Sequence, residues 1–139
     1  MPDEARKGTF FQLYEAIFQS SVNKEIEERL SVMPDLYLQL VFAPDGEAVA
    51  FKLGFRESPD TFYSWLGGVV PEHRGLGIAG QMMRQQHDWC RAKGYLYMRT
   101  KTLNRWKEML ILNIRHGFDV VGIQAGRDGV PRILLEKKL

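Results

Sequence analysis

Residues 69 to 80 read V-V-P-E-H-R-G-L-G-I-A-G, a segment whose residue types and spacing suit the binding of a phosphate. Its glycines stand at Gly75, Gly77 and Gly80 in the pattern G-x-G-x-x-G. A strand-like apolar stretch precedes them and a helical pattern follows. The free N–H groups at the start of such a helix favour a pyrophosphate. Two different classes of enzyme share this feature, and the rest of the chain has to distinguish them.

The first class binds a dinucleotide such as NAD or FAD. A dinucleotide-binding fold places the glycines in its first strand-to-helix turn, and an acidic residue about 20 positions later binds the ribose. Here three predicted strands precede the glycines, and residues 97–101 read Y-M-R-T-K, which is basic where an acid is needed. The sequence therefore disfavours a dinucleotide.

The elements that position this segment are predicted from periodicity and from capping and turn residues. Helices are predicted over residues 9–20, 76–93 and 105–116, and a further helix is predicted after a cap at Ser21 and is ended by Pro34-Asp35. Strands are predicted over residues 36–42, 48–55, 62–70, 95–100, 118–123 and 132–136. A crossover joins the two strands that flank the glycine-rich helix, so these are expected to be parallel. The predicted fold class is α/β, sandwich-like and of α+β character: a mixed, mostly antiparallel sheet of about six strands with helices on both faces.

Composition and length limit what the chain can be. With 139 residues, 45% hydrophobic and 26% charged, it is expected to fold as one domain over residues 1–139. Its single cysteine allows no internal disulfide and favours a reducing, cytoplasmic setting. No stretch resembles a signal peptide or a membrane span, so no membrane partner is expected. A net charge of +2 gives no reason to expect nucleic acid.

The longer string around the glycines resembles motif A of the GNAT superfamily of N-acetyltransferases, whose core is Q/R-x-x-G-x-G/A. In this chain the core reads R-G-L-G-I-A from Arg74 to Ala79, after V-V-P-E at a strand end. The similarity extends over about residues 36–139: Asn104 follows the next strand, and a helix then ends in Gly117-Phe118. The resemblance implies a single GNAT acyltransferase domain, acetyl-CoA as co-substrate, no metal, and a small-molecule or peptide amine as acceptor.

The resemblance also implies roles for individual residues. The backbone amide of Val69 is the expected donor to the oxyanion. Gly67-Gly68 is expected to form the bulge at which this strand leaves its neighbour. Arg84, further into the helix, is expected to be a solvated charge. The residues expected to bind the co-substrate are Val69, Val70, Arg74, Gly75, Gly77, Ile78, Ala79, Gly80, Asn104 and Asn113.

Asn113 departs from the family pattern. Many members have a tyrosine four residues before the terminal Gly-Phe, which protonates the departing thiolate, and this chain has Asn113 there. A carboxamide donates a hydrogen bond to sulfur but gives up no proton. We hypothesise that Asn113 is catalytic in orienting the sulfur, and that water or another group supplies the proton.

The general base is left open by the sequence. The polar residues near the start of the third strand are all candidates: Glu57, Asp60, Tyr63 and Ser64. Alternation puts Tyr63 and Trp65 on one sheet face, where core packing is favoured over an acceptor site. The remaining expectations are an exposed loop position for His73, a helix surface for His87, a helix end for His116 and a buried thiol for Cys90.

Two further expectations follow from departures from the family. Its first strand normally precedes the helices, and no such strand is found before the first helix. The exposed sheet edge would then pair with a second chain, which favours a homodimer. The missing tyrosine and the unsettled base also leave a second hypothesis, a non-catalytic module of the same fold that senses acyl-CoA.

Overall fold

The computed structural model describes residues 2–139. Its helices are α1 (Glu4–Phe18), α2 (Lys24–Val32), α3 (Ile78–Lys93) and α4 (Lys107–Arg115). Its strands are β1 (Tyr37–Phe42), β2 (Ala48–Ser58), β3 (Thr61–Val69), β4 (Tyr97–Leu103), β5 (Asp119–Gln124) and β6 (Arg132–Lys138). A short 3₁₀ turn, Pro71–His73, follows β3. The order of elements is the predicted one, and none of the helices within residues 2–139 is both long and apolar enough to cross a membrane.

Side-chain caps set where the first two helices begin. The Asp3 carboxylate accepts a hydrogen bond from the Arg6 amide at 2.8 Å, so α1 starts earlier than predicted. Asn23, and not Ser21, caps α2, because its side-chain oxygen accepts from the Ile26 amide at 2.9 Å. Both oxygens satisfy amides that the first helical turn leaves without a partner.

The strands form one sheet in the order β1-β2-β3-β4-β6-β5. All neighbours are antiparallel except β3 and β4, which are parallel as predicted. That parallel pairing runs only from Thr61–Tyr97 to Tyr63–Arg99. Both strands then continue, to Val69 and to Leu103, while pairing with β2 and β6 on their other sides. Between residues 64–69 and 100–103 the sheet therefore opens, and we call this opening the β3–β4 gap.

The bulge in β3 lies at Trp65 and not at the predicted Gly67-Gly68. The register of β2 against β3 shifts between Leu53 and Gly54, which leaves Trp65 as the extra residue. A bulge of this kind does not need glycine, because its extra residue can adopt an ordinary right-handed conformation. Gly68 instead lets α1 approach the sheet, since a Cβ there would lie 2.9 Å from Ile17 Cγ2.

Separate apolar clusters cover the two faces of the sheet. On one face, α1 and α2 pack on a cluster of Phe10, Leu13, Ile26, Leu30, Leu38, Phe51 and Leu53. On the other face, α3 and α4 pack on a cluster of Phe62, Met83, Cys90, Tyr95, Met98, Phe118, Ile133 and Leu135. Burying a large apolar side chain stabilises the fold by about 1.5–3 kcal/mol. Helices thus cover both faces, as predicted, and hold the strands on each side of the gap.

Polar side chains are also buried beneath α3. Lys52 is 8% exposed, Gln86 0% and His87 3%. The prediction that His87 lies on the helix surface is wrong, because α3 turns its ring toward Phe118 and places Nδ1 2.9 Å from the Lys137 ammonium. Burial, followed by the positive charges of Lys137 and Lys52, lowers the pKa of His87 to about 3.

His87 is expected to make the fold sensitive to acid. Its folded-state pKa of about 3 lies below the ordinary 6.5, so in this window the unfolded chain binds a proton that the folded protein does not. The free energy of unfolding should therefore fall by about 2 kcal/mol between pH 7 and pH 5, at about 1.4 kcal/mol per pKa unit. Urea unfolding at the two pH values measures this fall.

The control for this prediction is a second histidine. His87→Gln should remove most of the pH dependence, whereas His116→Gln at the end of α4 should keep it. The same loss of stability in His87→Gln and in the wild type would contradict the assignment to His87.

Candidate functional site

The backbone of β3 directs two residues into the β3–β4 gap. The Val70 amide donates to the Val49 carbonyl of β2 at 2.9 Å. Facing residues of an antiparallel pair alternate between bonded and non-bonded positions, so Val69 and, two residues earlier, Gly67 occupy non-bonded positions. Their N–H and C=O groups therefore point away from β2 and toward the gap. A ligand in the gap meets backbone donors and acceptors along the wall formed by β3.

Side chains close one end of the gap. Directly after the last parallel pair, Thr100 Oγ1 donates to the Ser64 carbonyl at 2.8 Å. The Ser64 hydroxyl donates in turn to Gln86 Oε1 of α3 at 2.9 Å. Further along β4, Thr102 is 2% exposed, and its hydroxyl has no hydrogen-bond partner within residues 2–139. The gap is thus closed at Ser64 and Thr100 and opens toward the loop that precedes α3.

The loop before α3 leaves the first turn of that helix without a side-chain cap. Gly75 and Gly77 have φ angles of 79° and 83°, in the left-handed region that glycine adopts readily. A Cβ on either would meet no atom within 4 Å, so backbone conformation, and not crowding, requires glycine there. The first-turn amides, from Ile78 to Gly80, carry the positive end of the helix dipole. This arrangement suits a phosphate group.

Arg74 and two further polar residues surround this helix start. Arg74 Nε donates to the Val69 carbonyl at 2.9 Å, which ties the loop to the end of β3. A Cβ on Gly80 would lie 3.6 Å from the His116 ring and 3.5 Å from the Arg84 guanidinium. His116 ends α4, as predicted, but the fold also brings its ring beside the first turn of α3. Both distances are ordinary van der Waals contacts, so the His116 ring and the Arg84 guanidinium border the first turn of α3.

Asn113 and Asn104 lie on the elements that follow the gap. Asn113 is 4% exposed, so it is not a surface residue of α4. The backbone carbonyl of Asn113 accepts a hydrogen bond from the Phe118 amide at 3.0 Å, where the chain turns from α4 toward β5. Asn104 is exposed in the turn after β4, at the same end of the sheet as the loop before α3. Their roles toward a co-substrate stay predictions.

The residues left open as a general base are not gathered at the open end of the gap. Glu57 and Asp60 line a depression of about 440 Å³ beside the starts of β3 and β4, at the other end. Tyr63 and Trp65 pack edge-on against Phe55, on the face covered by α2. Burial raises the pKa of Tyr63 to about 12, which makes it a weak proton donor at neutral pH. These contacts favour the predicted packing role for the two aromatic residues.

Cys90 is buried, as predicted. Burial raises the pKa of its thiol to about 12, and a protonated thiol is a poor nucleophile. His73 is half-buried and not exposed as predicted, and within the described chain its Nδ1 has no hydrogen-bond partner. No three His, Cys, Asp or Glu side chains among residues 2–139 converge on a position that would hold a metal ion.

Sequence reasoning missed Lys52. Phe51 and Leu53 pack against α1 and α2, and Ala50 packs against Met82 of α3, so alternation along β2 turns Lys52 toward α3. None of the ion pairs formed within residues 2–139 includes it. Burial lowers its pKa to about 8. The one signal in the sequence was a lysine inside the apolar run A-V-A-F-K-L.

The mixed sheet opens between its two parallel strands, beside an uncapped glycine-rich helix start, and this arrangement suits an extended ligand that carries a phosphate group. The sequence pattern of the Acetyltransferase (GNAT) family matches residues 6–107, and the chain belongs to that family. No curated protein sequence matches the chain.

Solved structures of several acetyltransferases have the same fold. Ard1 from Thermoplasma volcanium is 14% identical, with a TM-score of 0.84 over 99% of this chain and 95% of that one. A GNAT family acetyltransferase from Elizabethkingia anophelis, solved with acetyl-CoA bound, is 18% identical, with a TM-score of 0.78 over 100% and 92%. Nourseothricin acetyltransferase is 20% identical, with a TM-score of 0.69, and this chain covers 66% of it with 76% of its own length. At these identities the likeness shows the fold.

The glycine loop can be tested by Gly77→Ala. An alanine forced into the left-handed conformation costs about 1–2 kcal/mol. Relaxation of the loop away from that conformation should weaken acetyl-CoA binding by about tenfold, equivalent to about 1.4 kcal/mol. Calorimetric titration with acetyl-CoA measures the affinity.

Gly46→Ala is the matched control. Gly46 also has a positive φ, 90°, and open space around it, but it lies in the turn between β1 and β2. It should lose similar stability and keep the wild-type affinity. Equal affinities in the two variants would show that the loop does not bind the co-substrate.

Proposed function

We propose that this chain is an N-acetyltransferase that moves an acetyl group from acetyl-CoA to an amine by direct attack in a ternary complex. The observation that carries the proposal is the β3–β4 gap, with backbone groups facing it from β3 and an uncapped helix start at its open end. Coenzyme A offers matching groups, because its pyrophosphate suits the start of α3 and its amide-bearing pantetheine arm can pair with β3 as an added strand would.

Attack of the amine turns the thioester carbonyl oxygen into an oxyanion, which needs a donor. The Val69 amide is the proposed donor, because it is directed into the gap. One such donor contributes about 10²–10³ in rate. The bond from Arg74 to the Val69 carbonyl holds this part of the backbone in place before the substrate arrives.

Asn113 is proposed to face the sulfur and to orient it through a hydrogen bond from its carboxamide. Its burial on α4 supports this role over that of a surface residue. The acceptor is proposed to be a small-molecule or peptide amine.

A second function is favoured by one feature. The chain lacks a tyrosine at position 113, where the family's proton donor stands, and a module that binds acyl-CoA without turning it over has no use for that donor. Such a sensor would use the same gap and the same glycine loop. The two functions differ only in whether thiol is released.

Release of free thiol from acetyl-CoA tests the proposed function. The amine panel should include a simple alkyl amine, a polyamine, an aminoglycoside, a dipeptide and a lysine peptide with a blocked N-terminus. Amine-dependent release is expected with at least one of them. Tight binding of acetyl-CoA by calorimetry, with no release from any amine, would support the sensor instead.

Asn113→Ala is expected to lower kcat by about tenfold. Loss of one hydrogen bond to a charged group is worth about 1.5–3 kcal/mol, and only part of that bond is made when the thiolate develops. Steady-state kinetics with acetyl-CoA measures the change. Unchanged turnover together with unchanged acetyl-CoA affinity would rule out contact between Asn113 and the sulfur.

Cys90→Ala is expected to keep wild-type turnover. Direct attack forms no covalent acyl-enzyme, and the pKa of about 12 keeps this thiol protonated. Steady-state kinetics and intact-protein mass spectrometry with acetyl-CoA check both points. An acetylated Cys90, or complete loss of activity in a folded Cys90→Ala variant, would refute the direct mechanism.

A further inference from the structure

Lys52 is the least expected charge in the interior of this protein. It is 8% exposed, beneath α3, and no carboxylate of residues 2–139 forms an ion pair with it. Buried charges are nearly always paired, because an isolated one loses its hydration without compensation. The missing partner is an anion, and the fold retains the lysine without one.

The groups around Lys52 supply no unpaired negative charge. Cys90 on α3 acts on Lys52, and Lys52 acts together with Lys137 of β6 on His87. Burial lowers the pKa of the histidine and raises that of the thiol, so both are uncharged at neutral pH. The Asp35 carboxylate also acts on Cys90, but it is paired with the Lys93 ammonium at 3.2 Å and is not among the groups that shift the pKa of Lys52. Lys137 adds a positive charge. Any anion that pairs with Lys52 therefore comes from a ligand or forms during a reaction.

The position of Lys52 relates it to the acyl end of the proposed co-substrate. Lys52 lies directly opposite Gly67 in the pairing of β2 with β3. If the pyrophosphate binds at the start of α3, the arm runs back along β3 to the Val69 amide, the proposed oxyanion donor. The thioester then lies beside Val69, two residues along the strand from Gly67.

Gly67 leaves the space between Lys52 and the gap free. A Cβ on Gly67 would lie 3.7 Å from Lys52 Cγ, so the lysine stem passes along the α3 side of this glycine. Neighbouring strands are about 4.7–4.9 Å apart, which the four-carbon stem of a lysine can span. A larger residue at position 67 would pack against this stem and restrict the positions open to the ammonium group.

We propose that Lys52 is the proton donor to the departing thiolate, a catalytic residue that takes the place of the absent tyrosine. The inference rests on the proposed function. The amine nitrogen forms the bond to the acetyl carbon, and the carbon–sulfur bond breaks with its electron pair on sulfur. The Lys52 ammonium then gives its proton to that sulfur. The new amide loses the amine proton to water, and water reprotonates Lys52.

The physical reason is that the negative charge with which Lys52 interacts forms only as the carbon–sulfur bond breaks. The thioester is neutral, so it gains little from a cation, whereas the thiolate that forms is the anion that Lys52 lacks. The lowered pKa of Lys52, about 8, is also close to that of a free thiol, so proton transfer between them is nearly balanced.

The experiment compares the wild type with Lys52→Met, Lys52→Arg and, as control, Lys138→Met, an exposed lysine at the end of β6 and outside the gap. Thiol release from acetyl-CoA is followed between pH 6.5 and 9.5 with the fastest amine of the panel, and acetyl-CoA affinity is measured by calorimetry. A general acid contributes about 10²–10⁴ in rate, so Lys52→Met should lower kcat by about 100-fold at unchanged affinity.

The pH profile separates a proton donor from a structural residue. An acid is active when protonated, so wild-type kcat/KM for acetyl-CoA should fall as pH rises through about 8. In Lys52→Met, kcat/KM should no longer fall as pH rises through about 8. Lys52→Arg should lose this fall too, because a guanidinium keeps its charge but gives up no proton in this range. Lys138→Met should keep both the wild-type kcat and the fall of kcat/KM above about pH 8.

Stability gives the third readout. Methionine matches the lysine stem and removes an unpaired buried charge, so Lys52→Met should unfold at the same or higher urea concentration than the wild type. Lys52→Met or Lys52→Arg with wild-type kcat and the fall of kcat/KM intact would overturn the proposal. A wild type that binds acetyl-CoA but releases no thiol with any amine would overturn the proposed function, and the role of Lys52 with it.

Discussion

The structure depends on one constraint: β3 and β4 pair as parallel strands over three residue pairs and then separate while both continue. Each strand stays in place because it is paired on its other side, β3 with β2 and β4 with β6. The bond from Thr100 to the Ser64 carbonyl fixes where the separation begins. Backbone groups that a continuous sheet would satisfy internally are instead directed into the gap, and a buried peptide group left without a partner is costly. The gap therefore presents backbone donors and acceptors to a ligand, and its position is set by the strand topology together with the Thr100 side chain.

Buried polar side chains on the α3 side of the sheet also have groups without hydrogen-bond partners. The Gln86 and His87 side chains each leave one nitrogen without a partner within residues 2–139, and the Thr102 hydroxyl has none. Each such group costs about 1–3 kcal/mol when it is buried unpaired. These costs, together with the unpaired charge of Lys52, are concentrated beneath α3 and along β4. The two apolar clusters on either side of the sheet contain none of these side chains and offset that cost.

The sequence predicts the elements that short-range patterns determine. The glycine loop and the parallel pair follow from residue types and from a crossover helix between two strands. The length of the parallel pairing does not, because it depends on β6, the last strand, inserting between β4 and β5. The wrong prediction of a surface position for His87 has a different cause. His87 lies four residues after Met83 and three before Cys90, so periodicity already put it on the buried face, and only its residue type argued for the surface. Lys52 was missed because no position within the strand from Ala48 to Phe55 was assigned to a face of the sheet.

An enzyme and a sensor differ in which parts of the ligand their contacts stabilise, and in which state of the ligand. A module that only binds acyl-CoA gains from contacts with the pyrophosphate and the arm, which the start of α3 and the wall of β3 supply. It gains nothing from a cation near the sulfur, because the thioester carries no charge while it is intact. Lys52 would then lower stability without improving binding, and an apolar residue of the same length would serve better. Under the proposed function a buried cation opposite Gly67 has a physical role, because cleavage of the carbon–sulfur bond forms an anion near it.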